Sequence, residues 1–504
     1  MNVYNEKDTN FITIKNLSKS FGGNKALDQV NFDLKQGEVH CLAGGNGSGK
    51  STLIKVICGI HKPDSGSDIT INGQKIKSLT PAKSKALGIQ VIYQDLSLFP
   101  NLSIAENIAF EDNLKSIFSF FNYKKQCTKA KKIIDELNFN LNLNTIVETL
   151  SIAQRQQVAI CRALVADAKL VIMDEPTASL TRAEVNNLLN TVNYLKSKNI
   201  SVIFVSHKLD EVLAISERVT VIKDGIKQGC FDAKDITPER LAELITGVKI
   251  DFLNRHIEVD DDSPIILETE NLTKENQYQD ISMRVRKGQV VGLCGLLGSG
   301  RTELALSIFG ITKPDSGKIY VNSVPVKFKN HVDAMKSGIG YVSEDRLTLG
   351  LILEQSVTDN TILSIINQIK TKLGLLDNNR IRDILNSWVN DLDIKVKDIN
   401  LPISTLSGGN QQKIVLAKWI LTNPKILILD SPTVGVDVGA KDSIYKLIRE
   451  LADQGISIIL ISDEIPEVYY NCDEIFYFNK GSLLWRNKTR DISIESLMEV
   501  VNAG

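Results

Sequence analysis

The sequence has no long apolar run and no visible export signal. Its longest apolar runs, such as those at 200–205 and 456–461, fall far short of the roughly 20 residues that a membrane-spanning helix needs. The opening residues, MNVYNEKDTNF, contain neither a basic segment nor an apolar one. We therefore expect a chain that does not cross a membrane by itself.

The charge balance and the cysteines narrow the class of protein further. With 59 Lys and Arg residues against 60 Asp and Glu, the net charge is −1, so the chain lacks the basic footprint of a general nucleic-acid-binding protein. The seven cysteines are scattered, odd in number and without a C-x-x-C pair, which argues against a disulfide framework and a zinc site. We expect reduced cytosolic thiols and no nucleic-acid partner.

What the sequence does have is length and an ordinary globular composition. Its 504 residues exceed what one hydrophobic core supports, so two large domains or more are expected. A content of 43% hydrophobic and 24% charged residues excludes the disordered and fibrous classes.

A glycine-rich loop follows the apolar run from Val39 to Ala43. The loop reads GGNGSGKST, a G-x-x-x-x-G-K-[ST] pattern whose glycines let backbone N–H groups turn toward phosphate. The next helix presents its positive N-terminus, and Lys50 reaches the β- and γ-phosphates. The pattern predicts a nucleoside triphosphate site. Its candidate residues are Gly44, Gly45, Asn46, Gly47, Ser48, Gly49, Lys50, Ser51 and Thr52.

The same loop recurs about 250 residues later, as GLLGSGRTE at 295–303, with Arg301 in place of Lys50. Further landmarks recur in the same order at a near-constant spacing, which leaves little room for chance. The pairs are Lys50 with Arg301, Gln94 with Glu344, Ser151 with Ser407, Asp174 with Asp430 and His207 with Asp463. The chain is therefore built twice, with one loop intact and one altered.

The repeat and the apolar runs predict an α/β fold in two domains. We place domain one at 1–248, an acidic and polar linker at 249–263 and domain two at 264–504. Runs such as LVIM before Asp174 and ILIL before Asp430 are typical of strands buried on both faces of a parallel sheet, whose ligands gather at the carboxyl ends of the strands. Between 100 and 150, and again between 353 and 406, the sequence favours an inserted helical subdomain.

Each candidate residue also has a plainer explanation. A glycine-rich loop matches unrelated turns, two acids often end a strand, a lone histidine is usually at the surface, and Phe21 taken alone favours the core. The neighbouring sequence favours the functional interpretation over the plainer one. Asp174 follows four apolar residues and suits a carboxylate that holds Mg²⁺ through water, while Glu175 suits a group that polarises the attacking water. His207, at the end of SVIFVS, can donate to a γ-phosphate.

Taken together these residues resemble the ATP-binding-cassette (ABC) ATPases over nearly the whole chain. The resemblance implies two tandem P-loop cassettes, each with a mainly parallel sheet, a β subdomain and a helical subdomain. Domain one matches the aromatic A-loop at Phe21, the Walker A loop at 44–52, the Q-loop at Gln94, Walker B at Asp174 with Glu175 and the switch at His207. Ser51, Gln94 and Asp174 would then hold Mg²⁺. Domain one departs from the pattern at its signature, LSIAQ, and at Thr181 of its D-loop.

Domain two shows the opposite pattern. It matches the signature LSGGN, with Ser407, Gly408 and Gly409, and the D-loop aspartate, Asp437. Its departures are Arg301, Glu344, Ser431 and Asp463, together with a missing A-loop aromatic.

Cassettes of this family pair head to tail, so each ATP lies between the Walker A of one half and the signature of the other. The resemblance thus implies one intact site, made from domain one with Ser407, Gly409 and Asp437. All the alterations fall in the other site. Its residues are Gly295, Gly298, Ser299, Gly300, Arg301, Thr302, Glu344, Asp430, Ser431 and Asp463, with Ser151 and Thr181 from domain one.

Several stretches resemble the simple-sugar importers of this family, namely GRTE, the EDR run from Glu344 to Arg346, SGGNQQK and GVDVGAK. That resemblance implies an ATP- and Mg²⁺-dependent transport ATPase on the cytoplasmic face of the cell membrane. Its partners would be two integral-membrane permease subunits, docked near the segments after Gln94 and Glu344, and an extracytoplasmic sugar-binding protein. Gly45 and the stretch SPTVG depart from the usual pattern of the group.

Two alternatives remain open. The solute could be a polyol, a furanosyl signal or a nucleoside, since the chain contains no pocket for it. The chain could also be a soluble twin-cassette ATPase that acts on ribosomes, although the short acidic linker disfavours that class.

Overall fold

The computed structural model divides the chain into two compact units, 1–250 and 251–504. The described residues are 10–113, 123–177, 180, 182–206, 208–247, 259–260, 262–296, 298–371, 374–392, 394, 396, 398–436 and 438–503. Thr181, His207 and Asp437 lie outside them, as does most of the predicted linker. The domain limits 1–248 and 264–504 stay predictions.

Unit 1 alternates strands and helices along the chain. Its strands are β1 (Asn10–Phe21), β2 (Asn24–Lys35), β3 (Val39–Ala43), β4 (Asp68–Ile71), β5 (Gln74–Lys75), β6 (Ile89–Ile92), β7 (Leu170–Asp174), β8 (Ser201–Val205), β9 (Arg218–Lys223) and β10 (Ile226–Asp232). Its helices are α1 (Lys50–Ile57), α2 (Pro81–Ala86), α3 (Ile104–Asn113), α4 (Tyr123–Glu136), α5 (Ile152–Val165), α6 (Arg182–Ser197), α7 (Leu209–Ile215) and α8 (Pro238–Thr246).

The main sheet of unit 1 has six strands in the order β10-β9-β3-β8-β7-β6. All its neighbours pair in parallel except β10, which is antiparallel to β9. The strands β3 and β8 are buried along their whole length, as their unbroken apolar runs predict. One face packs against α1 and the small sheet, through Leu53 and Phe32, and the other against α5, α6 and α8. Each such side chain contributes roughly 1.5–3 kcal/mol by its burial.

Two smaller subdomains complete the unit. A four-stranded antiparallel sheet, β2-β1-β4-β5, is the β subdomain. The helices α3, α4 and α5 pack around a core of their own that includes Ile104, Ile134 and Val158. The predicted fold class, a mainly parallel sheet with a β subdomain and a helical subdomain, is confirmed.

Unit 2 repeats this architecture. Its strands are β11 (Ile265–Lys274), β12 (Tyr278–Arg286), β13 (Val290–Gly295), β14 (Ser316–Val321), β15 (Val324–Val326), β16 (Ile339–Val342), β17 (Ile426–Asp430), β18 (Ser457–Ile461), β19 (Glu474–Asn479) and β20 (Ser482–Lys488). Its helices are α9 (Arg301–Ile308), α10 (His331–Lys336), α11 (Val357–Ile362), α12 (Asn378–Asp391), α13 (Gly408–Ile420), α14 (Val438–Asp453), α15 (Ile465–Asn471) and α16 (Ile494–Ala503). The strand order β20-β19-β13-β18-β17-β16 is that of unit 1, position by position.

This order brings the predicted site residues to one edge of each sheet. In unit 1 the strands β3, β8, β7 and β6 are consecutive neighbours and parallel, so their carboxyl ends lie side by side. The glycine-rich loop follows β3, Asp174 ends β7 and Gln94 lies two residues after β6. In the described part of the chain, no helix has the length and apolarity to span a bilayer.

Candidate nucleotide sites

The glycine-rich loop of unit 1 connects β3 to α1 and depends on the absence of side chains. Gly49 precedes α1 in the left-handed region, with φ of 108°, and a Cβ there would lie 2.6 Å from the carbonyl oxygen of Ala26. A Cβ on Gly44 would lie 2.2 Å from the carbonyl oxygen of Ile222. Gly47, with φ of 76°, faces open space, so its backbone can be approached closely.

The polar groups of this loop suit a phosphate. The ammonium of Lys50 is only 8% exposed and donates to the carbonyl oxygens of Gly44 and Gly45, at 2.6 and 2.9 Å. The Ser48 hydroxyl is buried and has no hydrogen-bond partner among the described residues. Backbone N–H groups at a helix N-terminus, a held ammonium and an unpaired hydroxyl form a donor set that matches an anion.

Two carboxylates stand at the end of β7. Burial raises the pKa of Asp174, and the neighbouring charge of Glu175 raises it further, whereas Lys50 and Lys55 lower it. Glu175 holds a left-handed backbone, with φ of 48°, and its N–H donates to the carbonyl oxygen of Val205 at 2.9 Å. Such conformations are costly for a residue with a side chain and concentrate at functional sites.

The oxygen-bearing side chains around this loop are chemically suited to a divalent cation. Ser51 lies in the first turn of α1, which follows β3. Asp174 ends β7, which β8 separates from β3, and Gln94 follows β6 with an exposed side chain. No group of three or more His, Cys, Asp or Glu side chains that could hold a metal occurs within the described residues. An ion such as Mg²⁺, which keeps waters and takes one or two carboxylates plus phosphate oxygens, suits this sparse set.

Phe21 is not a core residue, which removes the plainer explanation for it. Its side chain is 43% exposed at the end of β1, edge-to-face with His61 at 5.0 Å and below the ammonium of Lys19. An exposed aromatic ring at the end of a strand of the β subdomain is consistent with the A-loop position that the family resemblance implies for it.

The two signature helices differ at their N-termini. Ser151 caps α5 through its side chain, in a capping box with Gln154, and the next residue, Ile152, is an exposed apolar side chain. In α13 the Ser407 hydroxyl makes no such cap, and Gly408 and Gly409 follow. The first turn of α13 therefore begins with two glycines, beside which the Arg346 guanidinium lies, and the Ser407 hydroxyl accepts from the Asn410 amide at 3.1 Å instead of capping the helix. Backbone N–H groups at a helix N-terminus and a nearby guanidinium favour an anion there.

The phosphate loop of unit 2 keeps the backbone and changes the cation. Gly298 and Gly300 have φ of 77° and 92°, close to their counterparts in unit 1, and a Cβ on Gly295 would lie 2.2 Å from the carbonyl oxygen of Phe478. The Ser299 hydroxyl is again buried without a partner among the described residues, and Thr302 follows in the first turn of α9. Arg301 is 6% exposed, and its guanidinium forms an ion pair with Asp463.

The carboxylates of unit 2 are arranged differently. Asp430 is buried at the end of β17 and accepts a hydrogen bond from the Tyr341 hydroxyl at 3.0 Å. Burial raises the pKa of Asp430. Burial also raises the pKa of Glu344, and the charges of Asp430 and Asp463 raise the pKa of Glu344 further. Ser431 has φ of 46° and donates its N–H to the carbonyl oxygen of Ile461 at 2.9 Å. The turn that carries Glu175 in unit 1 thus carries a serine here.

Sequence reasoning missed a glutamate that ties two of these loops together. In unit 1 the Glu211 carboxylate accepts from the hydroxyls of Thr177 and Ser206, at 2.5 and 3.4 Å. In unit 2 Glu467 accepts from Thr433 and Ser462, at 2.8 and 2.7 Å. The recurrence of this glutamate at the common spacing of the repeat was the available signal.

The comparisons with known proteins agree with this geometry. A family model described as "ABC transporter" matches residues 27–178 and 278–434. A putative ribose/galactose/methyl galactoside import ATP-binding protein of Agrobacterium fabrum is 40% identical over 489 residues, 97% of this chain and 96% of the relative. A ribose import ATP-binding protein, RbsA, of Caldanaerobacter subterraneus is 40% identical over 491 residues, 97% of this chain and 98% of the relative.

A solved structure also matches nearly the whole chain. The complex of archaeal ribosomal stalk protein aP1 with archaeal ribosome recycling factor aABCE1 aligns with a TM-score of 0.63, covering 96% of this chain and 92% of that one. The identity is 19%, so the match shows a shared fold alone.

Proposed function

Since the chain belongs to the ABC transporter family, we propose that it is the ATP-hydrolysing subunit of an importer for a ribose- or galactose-type monosaccharide. The near full-length relatives named as sugar import ATP-binding proteins support this assignment. A polyol, a furanosyl signal or a nucleoside remains the alternative solute. The recycling factor shares the fold at 19% identity, which does not favour a ribosomal role.

We infer further that only one of two nucleotide sites turns over. The competent site would combine the loop, Asp174, Glu175 and His207 of the first cassette with Ser407, Gly409 and Asp437 of the second. The observation that carries this proposal is the pair of matching left-handed turns, with Glu175 at φ of 48° and Ser431 at φ of 46°. The backbone is the same, but only the first turn carries a carboxylate.

The residues of the first cassette divide the work of hydrolysis. Lys50 holds the transferred phosphate, Glu175 orients or deprotonates the attacking water, and His207 donates to the γ-phosphate oxygens. A Mg²⁺ held by Ser51, Gln94 and Asp174 would neutralise charge on the β- and γ-phosphates. Ser431 cannot accept a proton from water at neutral pH, so the second site would bind nucleotide without useful turnover.

The permease partners are supported by an apolar surface after Glu344. Leu347, Leu349 and Ile352 are 46%, 75% and 49% exposed on and beside the short π-helical turn at Arg346–Gly350. Clustered apolar side chains at a surface mark interaction sites. Binding of two permease subunits here and at the corresponding segment after Gln94 would place the protein on the cytoplasmic face of the membrane. An extracytoplasmic binding protein would deliver the sugar.

The central test compares the two turns. In the complex reconstituted with its permease, we expect Glu175→Gln to lower sugar-stimulated ATP hydrolysis by about 10²–10⁴-fold, the usual loss for a positioned general base. Ser431→Ala, the matched change in unit 2, should leave the rate near that of the parent. A Glu175→Gln complex that hydrolyses ATP at the parental rate would contradict the assignment, and a panel of sugars in the same assay identifies the solute.

A further inference from the structure

The cation of the second phosphate loop is bound by a carboxylate of its own unit. Arg301 opens α9, and its Nη2 forms an ion pair with Oδ1 of Asp463. Its Nη1 donates to the carbonyl oxygen of Ser462 at 3.0 Å, and its Nη2 also approaches that of Leu296 at 3.3 Å. Because β18 lies beside β13, Asp463, two residues after the end of β18, meets Arg301 at the carboxyl edge of the sheet.

This arrangement differs from that of unit 1 in the groups that accept from the cation. The Lys50 ammonium donates to two neutral main-chain carbonyl oxygens and acts on the Asp174 carboxyl through its charge. A phosphate oxygen that replaces a neutral acceptor gains electrostatic energy, whereas one that replaces the Asp463 carboxylate must break an ion pair that is already formed. The differences from unit 1 at positions 301 and 463 are therefore coupled, because the two side chains bind each other.

The surroundings of the pair are anionic. Asp430 is buried at the end of the adjacent strand β17, and the charges of Asp430 and Asp463 both act on the Glu344 carboxyl. The loop itself keeps the glycine conformations and the buried Ser299 hydroxyl of a phosphate cradle. In such loops the backbone N–H groups hold the α- and β-phosphates, and the cation that opens the helix reaches the β- and γ-phosphates. The cradle is thus retained, and the obstacle lies at its γ-phosphate end.

We propose that Asp463 makes the second phosphate loop select a nucleoside diphosphate over a triphosphate, because its carboxylate occupies the guanidinium that would bind the γ-phosphate. The proposal rests on the proposed function in one respect, that this loop receives a nucleotide. Asp463 acts as a specificity determinant of this site.

The test measures ADP and ATP affinity at the second loop of the full chain. Lys50→Ala weakens the first loop, and equilibrium dialysis with radiolabelled ADP and ATP in the presence of Mg²⁺ then reports on the second. We expect ADP to bind more tightly than ATP in this variant. Adding Asp463→Asn, which keeps the size and removes the charge, should shift the ratio of the two affinities toward ATP by on the order of tenfold.

The matched control is Asp453→Asn, which removes an exposed carboxylate at the end of α14 and should leave the ratio unchanged. Asp463→Ser serves as a second variant if the asparagine chain fails to melt cooperatively. A second loop that prefers ATP, that binds no nucleotide, or whose ratio ignores both changes at 463 would overturn the inference. If instead the wild-type chain binds no nucleotide at its first loop, the proposed function fails, while the ratio measured at the second loop still decides the inference. The two failures are therefore distinguishable.

Discussion

A buried charge network joins the start of β3, the strand that leads into the first phosphate loop, to its neighbour β9. The Glu38 carboxylate accepts from Arg218 at 2.6 and 2.9 Å and lies 3.1 Å from Nδ1 of His40, whose Nε2 lies 2.8 Å from the Thr220 hydroxyl. Burial alone would raise the pKa of Glu38, but the hydrogen bonds from His40 and Arg218 outweigh it and lower that pKa to about 2. Burial lowers the pKa of His40 below its ordinary 6.5, because it disfavours the charged imidazolium.

These shifts predict an acid-sensitive unit 1. Both groups have a lower pKa folded than unfolded, so the stability they contribute is complete above the unfolded values and is lost as pH falls. We expect the melting temperature to decline below pH 6.5, as His40 of the unfolded chain takes up protons, and to fall more steeply from pH 4.5 toward 2 through Glu38. Calorimetric melts across this range measure the effect.

The Glu38 contribution can be isolated by substitution. Glu38→Gln should lower stability at pH 7 by on the order of 3 kcal/mol and flatten the decline below pH 4.5. Glu239→Gln, at an exposed position of α8, should change neither the stability at pH 7 nor its decline below pH 4.5. An unchanged slope in the Glu38→Gln chain would show that the network does not govern acid stability.

At this scale, motif residues were predictable and their partners were not. Lys50, Asp174 and the change at Arg301 are predictions from local patterns and the internal repeat, and the change at Ser431 is a prediction from the family resemblance. The ion pair between Arg301 and Asp463 joins positions far apart in the chain, and it exists because β13 and β18 are neighbours in the sheet. A pattern within one segment carries no information on that neighbour.

At the scale of elements, a buried asparagine in each helical subdomain links one of its helices to the chain segment that precedes that helix. In α3 the Asn107 side chain accepts from the N–H of Phe99 at 2.8 Å and donates to the carbonyl oxygens of Phe99 and Ser103, at 3.0 and 3.1 Å. In α11 Asn360 makes the same bonds to Ile352 and Ser356. Each asparagine thus holds the segment that follows Gln94 or Glu344 against its helix.

Removal of this side chain should loosen the subdomain. Asn107→Ala leaves buried main-chain groups unpaired, at a cost of about 1–3 kcal/mol, and should increase hydrogen exchange across α3. Asn190→Ala, at an exposed position of α6, should stay within about 0.5 kcal/mol of the parent. Equal exchange in the two variants would argue against the fastening role.

The central elements followed directly from the sequence. The runs LVIM and SVIFV became β7 and β8, both buried as predicted. The small sheets were expected only from the family resemblance, because β1 pairs with both β2 and β4 through a register with several bulges. Such a register depends on contacts between distant segments, which periodicity does not encode.

At the scale of the whole molecule, the apolar surface after Glu344 should decide the association with the permease. Leu349→Glu places a charge on the most exposed of its leucines and should abolish co-purification with permease-containing membranes while ATP binding persists. Leu484→Glu, an equally drastic change at an exposed position of β20, should leave association intact. Co-purification of the parent chain with ribosomes instead of membranes would support the rival class.

The two halves should also contribute unequally to transport. Lys50→Ala should abolish sugar uptake, because it removes the ammonium that we propose to hold the transferred phosphate. Arg301→Ala should leave appreciable uptake, because its guanidinium belongs to the altered loop. Uptake into reconstituted vesicles compares the two, and equal loss would show that both loops are equally necessary.

The turn at Ser431 has a consequence for how the second half could change. Ser431 keeps, after β17, the left-handed backbone that Glu175 has after β7, so the proposed loss of turnover requires no change in the path of the chain at this turn. Restoring a hydrolytic site would require side-chain exchanges at 301, 344, 431 and 463 and, in the first half, at its signature and at 181. At this turn the two halves share the backbone conformation and differ in the side chain that it carries.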